Sequence, residues 1–147
     1  MFTYSVCSHC GAVNKINAQK LAQQKPDCGK CHQPLDMHAA VSELSYENLK
    51  KLSLKSELPI IVDFWAPWCG PCRSFAPTFE QASKEYLGKA VLVKVNTEKY
   101  PQASQELNIR GIPSLLVLKG GKEVARQSGA FPLPQLKQWL SSVGISS

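Results

Sequence analysis

The most continuous apolar run in the chain is Ile60 to Trp65, interrupted only by Asp63, which is the pattern of a central strand covered on both faces. Beyond it, Phe75, Phe79, Ala82 and Tyr86 recur at steps of four, three and four residues, so they share one face of a helix that Pro77 is expected to kink. Val91 to Val95 reads as the next strand, and Pro101 opens a short helix running to Leu107. Ser114 to Leu118 and Glu123 to Gln127 read as a hairpin around Gly120-Gly121. Leu133, Leu136, Leu140 and Val143 define the last amphipathic helix. Upstream, Ser45 is placed to cap a helix carrying Leu49 and Leu52 that ends before Pro59, and Ala39-Ala40-Val41 reads as a short strand. Strand and helix alternate first, and a hairpin and a helix close the chain. The expected class is therefore α/β, with a mixed central sheet between helical layers.

The first 36 residues carry four of the six cysteines and have almost no core of their own. Cys7-Ser8-His9-Cys10 and Cys28-Gly29-Lys30-Cys31 are two Cys-x-x-Cys pairs with seventeen residues between the inner cysteines, the spacing of a zinc ribbon. Four thiolates close a tetrahedral shell with no open position, so such a site is structural. Two disulfides, or an iron–sulfur cluster, use the same ligands. Gly11 and Gly29 suit the tight turns of the two knuckles. His9, His32 and His38 are surplus to the four sulfurs and are expected at the surface. Pro34 and Asp36 mark a junction, dividing the chain into a zinc-binding module over 1–36 and a larger domain over 37–147. The larger part is expected to fold without the smaller one.

The net charge of +6 invites a nucleic-acid partner, but the charge is spread thinly. Residues 1–36 hold four lysines and two aspartates, which four thiolates and one zinc ion bring to about zero. The remaining thirteen basic and nine acidic residues, Lys50-Lys51 included, read as solvated faces. No segment has the length of a membrane span, and Met1 to Cys10 lacks a basic stretch followed by an apolar core. Reactive thiols beside a zinc site suit a reducing compartment, so the cytoplasm is the expected location.

A third pair, Cys69-Gly70-Pro71-Cys72, follows the central strand directly and opens the Phe75 helix. A sulfur at a helix N-terminus lies beside unpaired N–H groups that favour thiolate, which makes Cys69 the candidate nucleophile and Cys72, deeper in the helix, the resolving thiol. A structural disulfide, half of a zinc site or two inert thiols are the alternatives. A Cys-x-x-Cys after a strand in a βαβ pattern favours redox chemistry over all three. Asp63 would lose hydration in a central strand, so its pKa should rise unless it is paired.

The segment Val62-Asp63-Phe64-Trp65-Ala66-Pro67-Trp68-Cys69-Gly70-Pro71-Cys72 resembles the active-site segment of the thioredoxin family, and Gly111-Ile112-Pro113 and Gly129-Ala130 follow as further landmarks. The resemblance covers about residues 38 to 145, and the cysteine-rich front end is similar to that of the family's zinc-bearing bacterial branch. It implies the thioredoxin fold and a thiol–disulfide oxidoreductase that reduces protein disulfides through a redox-active Cys69–Cys72 pair. It implies that Asp63 assists proton transfer to or from Cys72, with Lys94 as its partner. It also implies that Pro113 is cis, and that Trp68, Gly70, Pro71, Ile112, Pro113, Gly129 and Ala130 form the docking surface for substrate. An NADPH-dependent thioredoxin reductase is the implied electron donor, and a monomer the expected state. A different reading takes the chain as a zinc-ribbon or chaperone-like binding module that uses its larger domain only for docking.

Overall fold

The computed structural model describes residues 1–147. The chain opens with β1 (Phe2–Val6), β2 (Val13–Asn17) and α1 (Ala18–Gln23). Then come β3 (Met37–His38), β4 (Val41–Glu43), α2 (Tyr46–Lys55), β5 (Ile60–Trp65) and α3 (Gly70–Glu85). The remainder is β6 (Val91–Asn96), α4 (Pro101–Glu106), β7 (Ser114–Lys119), β8 (Lys122–Ser128) and α5 (Leu133–Ser142). Six strands form one sheet in the order β3-β4-β6-β5-β7-β8, and β1 and β2 form a separate antiparallel pair. β6 runs parallel to both β4 and β5, while β5–β7, β7–β8 and β3–β4 are antiparallel. The sheet is mixed, as the periodicity predicts.

β5 lies inside this sheet, and its residues alternate between two cores. Ile60, Val62 and Phe64 face a core shared with Tyr46, Leu49 and Leu52 of α2 and Ala103 of α4. Ile61 faces a second core with Phe75, Phe79 and Ala82 of α3 and Leu136 and Leu140 of α5. Each helix turns the stripe read from the sequence inward: Phe75, Phe79, Ala82 and Tyr86 are all buried. Ser45 caps α2 by accepting the backbone N–H of Asn48 on its hydroxyl. α3 continues through Pro77, which has no N–H to give to the Arg73 carbonyl. The β7–β8 turn places Gly120 and Gly121 at φ +57° and +81°, conformations that favour glycine at both positions.

The expected strand over Ala39–Val41 is displaced. Ala39 adopts φ +54° and sits in a turn, so β3 ends at His38 and β4 starts at Val41. The front module also departs from an isolated appendage. Tyr4 and Val6 are buried in the same core as Leu44, Leu49 and Leu52, with Phe2 and Val13 packed against it. Leu35 and Met37 share a smaller core with Cys7, Ile16 and Cys28.

Candidate functional site

Cys69 ends the loop after β5 and caps α3. Cys69 has extended backbone, and its Sγ accepts the Cys72 backbone N–H at 3.2 Å. Pro71 sits in the opening of the helix, where its missing N–H would have had no intrahelical partner. The field and orphan donors of a helix N-terminus act on this sulfur, and both favour the anion. Cys69 and Cys72 are joined by a disulfide with their Cα atoms 5.3 Å apart. Both are buried, in a small cluster with Ala66 against Trp65 and Ile112.

Of the remaining expected docking residues, Trp68, Gly70 and Pro71 adjoin the two cysteines in the chain and Ile112 packs against them. Trp68 is 69 % exposed, an unusual exposure for so large an apolar side chain. Gly70, Pro71 and Ala130 are exposed, Ile112 and Gly129 half-buried and Pro113 buried. The Ile112–Pro113 peptide bond is cis, and the Ile112 carbonyl oxygen lies 3.8 Å from Cys69 Sγ. The Gly129 N–H donates to the Pro113 carbonyl at 2.9 Å, which ties the two loops together.

Asp63 is 2 % exposed and on the α3 face of β5, and its Oδ1 has no hydrogen-bond partner. Burial pushes its carboxyl up to about 7, against the pull of the Lys94 ammonium and with the help of the Glu43 carboxylate. Lys94 stands directly opposite Asp63 in the β5–β6 register. Its side chain, however, turns toward β4: Nζ lies 4.0 Å from Glu43 Oε2 and 4.2 Å from the centroid of the Trp65 ring. Glu43 Oε1 in turn accepts the Trp65 indole N–H at 3.2 Å. Burial pushes Glu43, too, up to about 7, with Lys94 opposing. Sequence reasoning assigned Glu43 no role. Strand alternation places it on the same face as Val41, but only the β4–β6 register brings it to Lys94.

In the front module the four sulfurs of Cys7, Cys10, Cys28 and Cys31 lie within 4.8 Å of one another. The pairs Cys7–Cys31 and Cys10–Cys28 are each 3.6 Å apart. A tetrahedral zinc ion with bonds of about 2.3 Å requires sulfurs about 3.8 Å apart, so the donor set fits. Each knuckle repeats one pattern. His9 and Lys30 donate backbone N–H groups to Cys7 and Cys28 Sγ at 3.4 Å, and Gly11 and His32 donate to the carbonyls of Cys7 and Cys28 at 2.9 Å. Backbone N–H groups of Cys31 and Lys30 hold Cys28 down at about 6. Cys31 receives the Gln33 N–H, yet burial and the sulfurs of Cys7, Cys10 and Cys28 push it up to about 12. Four crowded thiols cannot all ionise without a cation among them, which is the chemistry of a metal site. The second turn is made differently from expectation: the left-handed residue after Cys31 is His32 at φ +64°, matching Gly11 at +75°, and Gly29 has no positive φ. His9, His32 and His38 are exposed.

Comparison with known proteins adds an independent line. A family model described as Thioredoxin matches residues 40–142, and one described as Thioredoxin 2, N-terminal, matches residues 6–33. Thioredoxin C-3 of Corynebacterium nephridii is 42% identical over 135 residues, covering 92% of this chain and 91% of that protein. Thioredoxin 1 of a Nostoc species is 43% identical over 102 residues, 69% of this chain and 95% of that protein. Thioredoxin of a Synechocystis species is 44% identical over 102 residues, again 69% of this chain and 95% of its own length.

Proposed function

The chain belongs to the thioredoxin family of disulfide oxidoreductases, and we propose that it reduces protein disulfides with Cys69 as the attacking thiol and Cys72 as the resolving one. The observation that carries this assignment is the placement of Cys69 Sγ at the start of α3, 3.2 Å from the Cys72 N–H. In the reduced protein the Cys69 thiolate attacks one sulfur of a target disulfide, and the other sulfur leaves with the electron pair and takes up a proton. Cys72 then gives its proton to the Asp63 carboxylate, and its thiolate attacks Cys69 Sγ. The second target sulfur leaves as a thiolate, and the Cys69–Cys72 disulfide remains. Trp68, Gly70, Pro71, Ile112, Pro113, Gly129 and Ala130 receive the target chain, and the exposed Trp68 supports that role.

Each turnover oxidises the pair, so two electrons must return; the donor in this reading is an NADPH-dependent thioredoxin reductase. The protein works as a monomer in the cytoplasm, where its thiols stay reduced. No helix is long and apolar enough to cross a membrane. Cys7, Cys10, Cys28 and Cys31 hold one zinc ion in the 1–36 module, and 37–147 is the catalytic domain. The ion supplies a crosslink to a segment with little core of its own.

The test is trapping. Cys72→Ser should accumulate mixed disulfides with target proteins through Cys69, because the resolving thiol is gone. Cys69→Ser should trap nothing, since Cys72 lies within the first turn of α3 and is not the helix cap. Equal trapping by the two variants on a non-reducing gel would reverse the assignment.

A further inference from the structure

Glu43, Lys94 and Asp63 form one row across three neighbouring strands. The register pairs Glu43 with Lys94 between β4 and β6, and Lys94 with Asp63 between β6 and β5. Alternation puts all three on the face that also carries Val41, Leu92 and Ile61. One ammonium therefore stands between two carboxylates. It is drawn to the outer one, with Nζ 4.0 Å from Glu43 Oε2, and Trp65 fixes that carboxylate through the 3.2 Å indole bond. Asp63 Oδ1 and Glu43 Oε2 are both buried with no hydrogen-bond partner, so the 4.0 Å approach of Lys94 to Glu43 is a charge contact rather than a hydrogen bond. Glu43, Lys94 and Trp65 also line a polar cleft of about 420 Å³ at the end of the sheet.

We propose that Glu43 is a positioning residue for the proton on Asp63: by holding Lys94 toward the cleft it keeps Asp63 short of a counter-ion and makes it a stronger acceptor for the Cys72 proton. The inference rests on the reading of Asp63 as that acceptor and adds the residue that tunes it. The proton moves from Cys72 Sγ to Asp63, the Cys72 thiolate displaces the target sulfur from Cys69, and no further reactant is needed. The charges facing Glu43 are Lys94 from β6, Asp63 from β5, Asp36 and His38 from the β3 edge, and Lys99 with Tyr100 from the segment after β6. Among these, Lys94 and Lys99 pull the Glu43 proton off, and Asp36 helps retain it. The Glu43 carboxylate itself raises Asp63.

The experiment measures the pH–rate profile for single-turnover reduction of a protein disulfide by the full, zinc-loaded chain. It compares the parent protein with Glu43→Gln, Glu43→Asp, Asp63→Asn and the Asp63→Asn/Glu43→Gln double variant. Glutamine keeps the acceptor for Trp65 but removes the charge, so Lys94 is free to turn to Asp63. The rising limb should move to lower pH by about one unit. Glu43→Asp retains the charge and should leave the limb close to the parent. In the Asp63→Asn background, Glu43→Gln should move nothing. A merely structural Glu43 would lower the melting temperature and leave the limb in place, which would overturn the proposal. The same limb shift with and without Asp63 would overturn it as well. If Asp63→Asn alone keeps the parent profile and rate, the proton-acceptor reading itself falls, and the role of Glu43 with it.

Discussion

Asp63 shows how far a single residue's chemistry can be read before its partners are seen. An acidic side chain inside an apolar strand announces desolvation, and its carboxyl is indeed pushed from 3.8 to about 7, chiefly by burial. The resemblance names Lys94 as its partner, and Lys94 does stand opposite Asp63 in register; what was not legible is that its ammonium also turns toward Glu43. The sign of the stability effect follows. Below about pH 3.8 the carboxyl is protonated in both folded and unfolded chains, and its stabilising protonation is fully present. As pH rises toward about 7, the unfolded chain releases the proton first, and native stability falls. Asp63→Asn is neutral at every pH. It should match the parent in urea unfolding near about pH 3 and exceed it by about 2–4 kcal/mol near about pH 8. Its disulfide exchange should slow at least about tenfold. A loss of stability near pH 8 would instead make Asp63 a structural ion-pair member.

At the scale of elements, patterns that repeat within one segment were legible, and contacts that join distant segments were not. The stripe Phe75, Phe79, Ala82, Tyr86 needs only helical spacing, and the Gly120-Gly121 turn needs only local backbone. The turn at Ala39 and the His32 corner of the second knuckle use positive φ in residues that do not advertise it, so the sequence offered no signal. The packing of β1 was hidden for a different reason. Phe2, Tyr4 and Val6 alternate with Thr3 and Ser5, a strand period that was there to be read, but their burial against Leu44 and Leu49 depends on where α2 and β4 lie. The consequence is that the front module and the larger domain share a core. Tyr4→Ala should therefore destabilise the whole chain, by about 3 kcal/mol. Removing the metal with a chelator, or oxidising Cys7, Cys10, Cys28 and Cys31, should lower the melting temperature of a single transition. Two separate calorimetric transitions in the metal-loaded protein would show that the core is not shared in this way, and that a chain starting near Met37 can stand alone.

For the whole molecule, the mixed sheet between helices and the placement of Cys69 between β5 and α3 were legible because strand, motif and helix are consecutive in the chain. Charge was a poor guide by comparison: a net +6 distributed over many faces says little until the fold shows where each lysine goes. Lys94 and Lys99 border the polar cleft near Trp65, and Lys137 meets Glu85 at 2.8 Å across α5 and α3. On this reading two buried sulfurs at the start of α3 do the chemistry and the remaining structure positions them. The most direct test is insulin disulfide reduction by the full chain with a small dithiol as donor, run beside the Cys69→Ser/Cys72→Ser double variant. The parent protein is predicted to accelerate reduction well above the donor alone, and the double variant, folded and still metal-bound, to fall to the rate of the donor. An undiminished rate in the double variant would contradict the claim and return the chain to the class of binding modules.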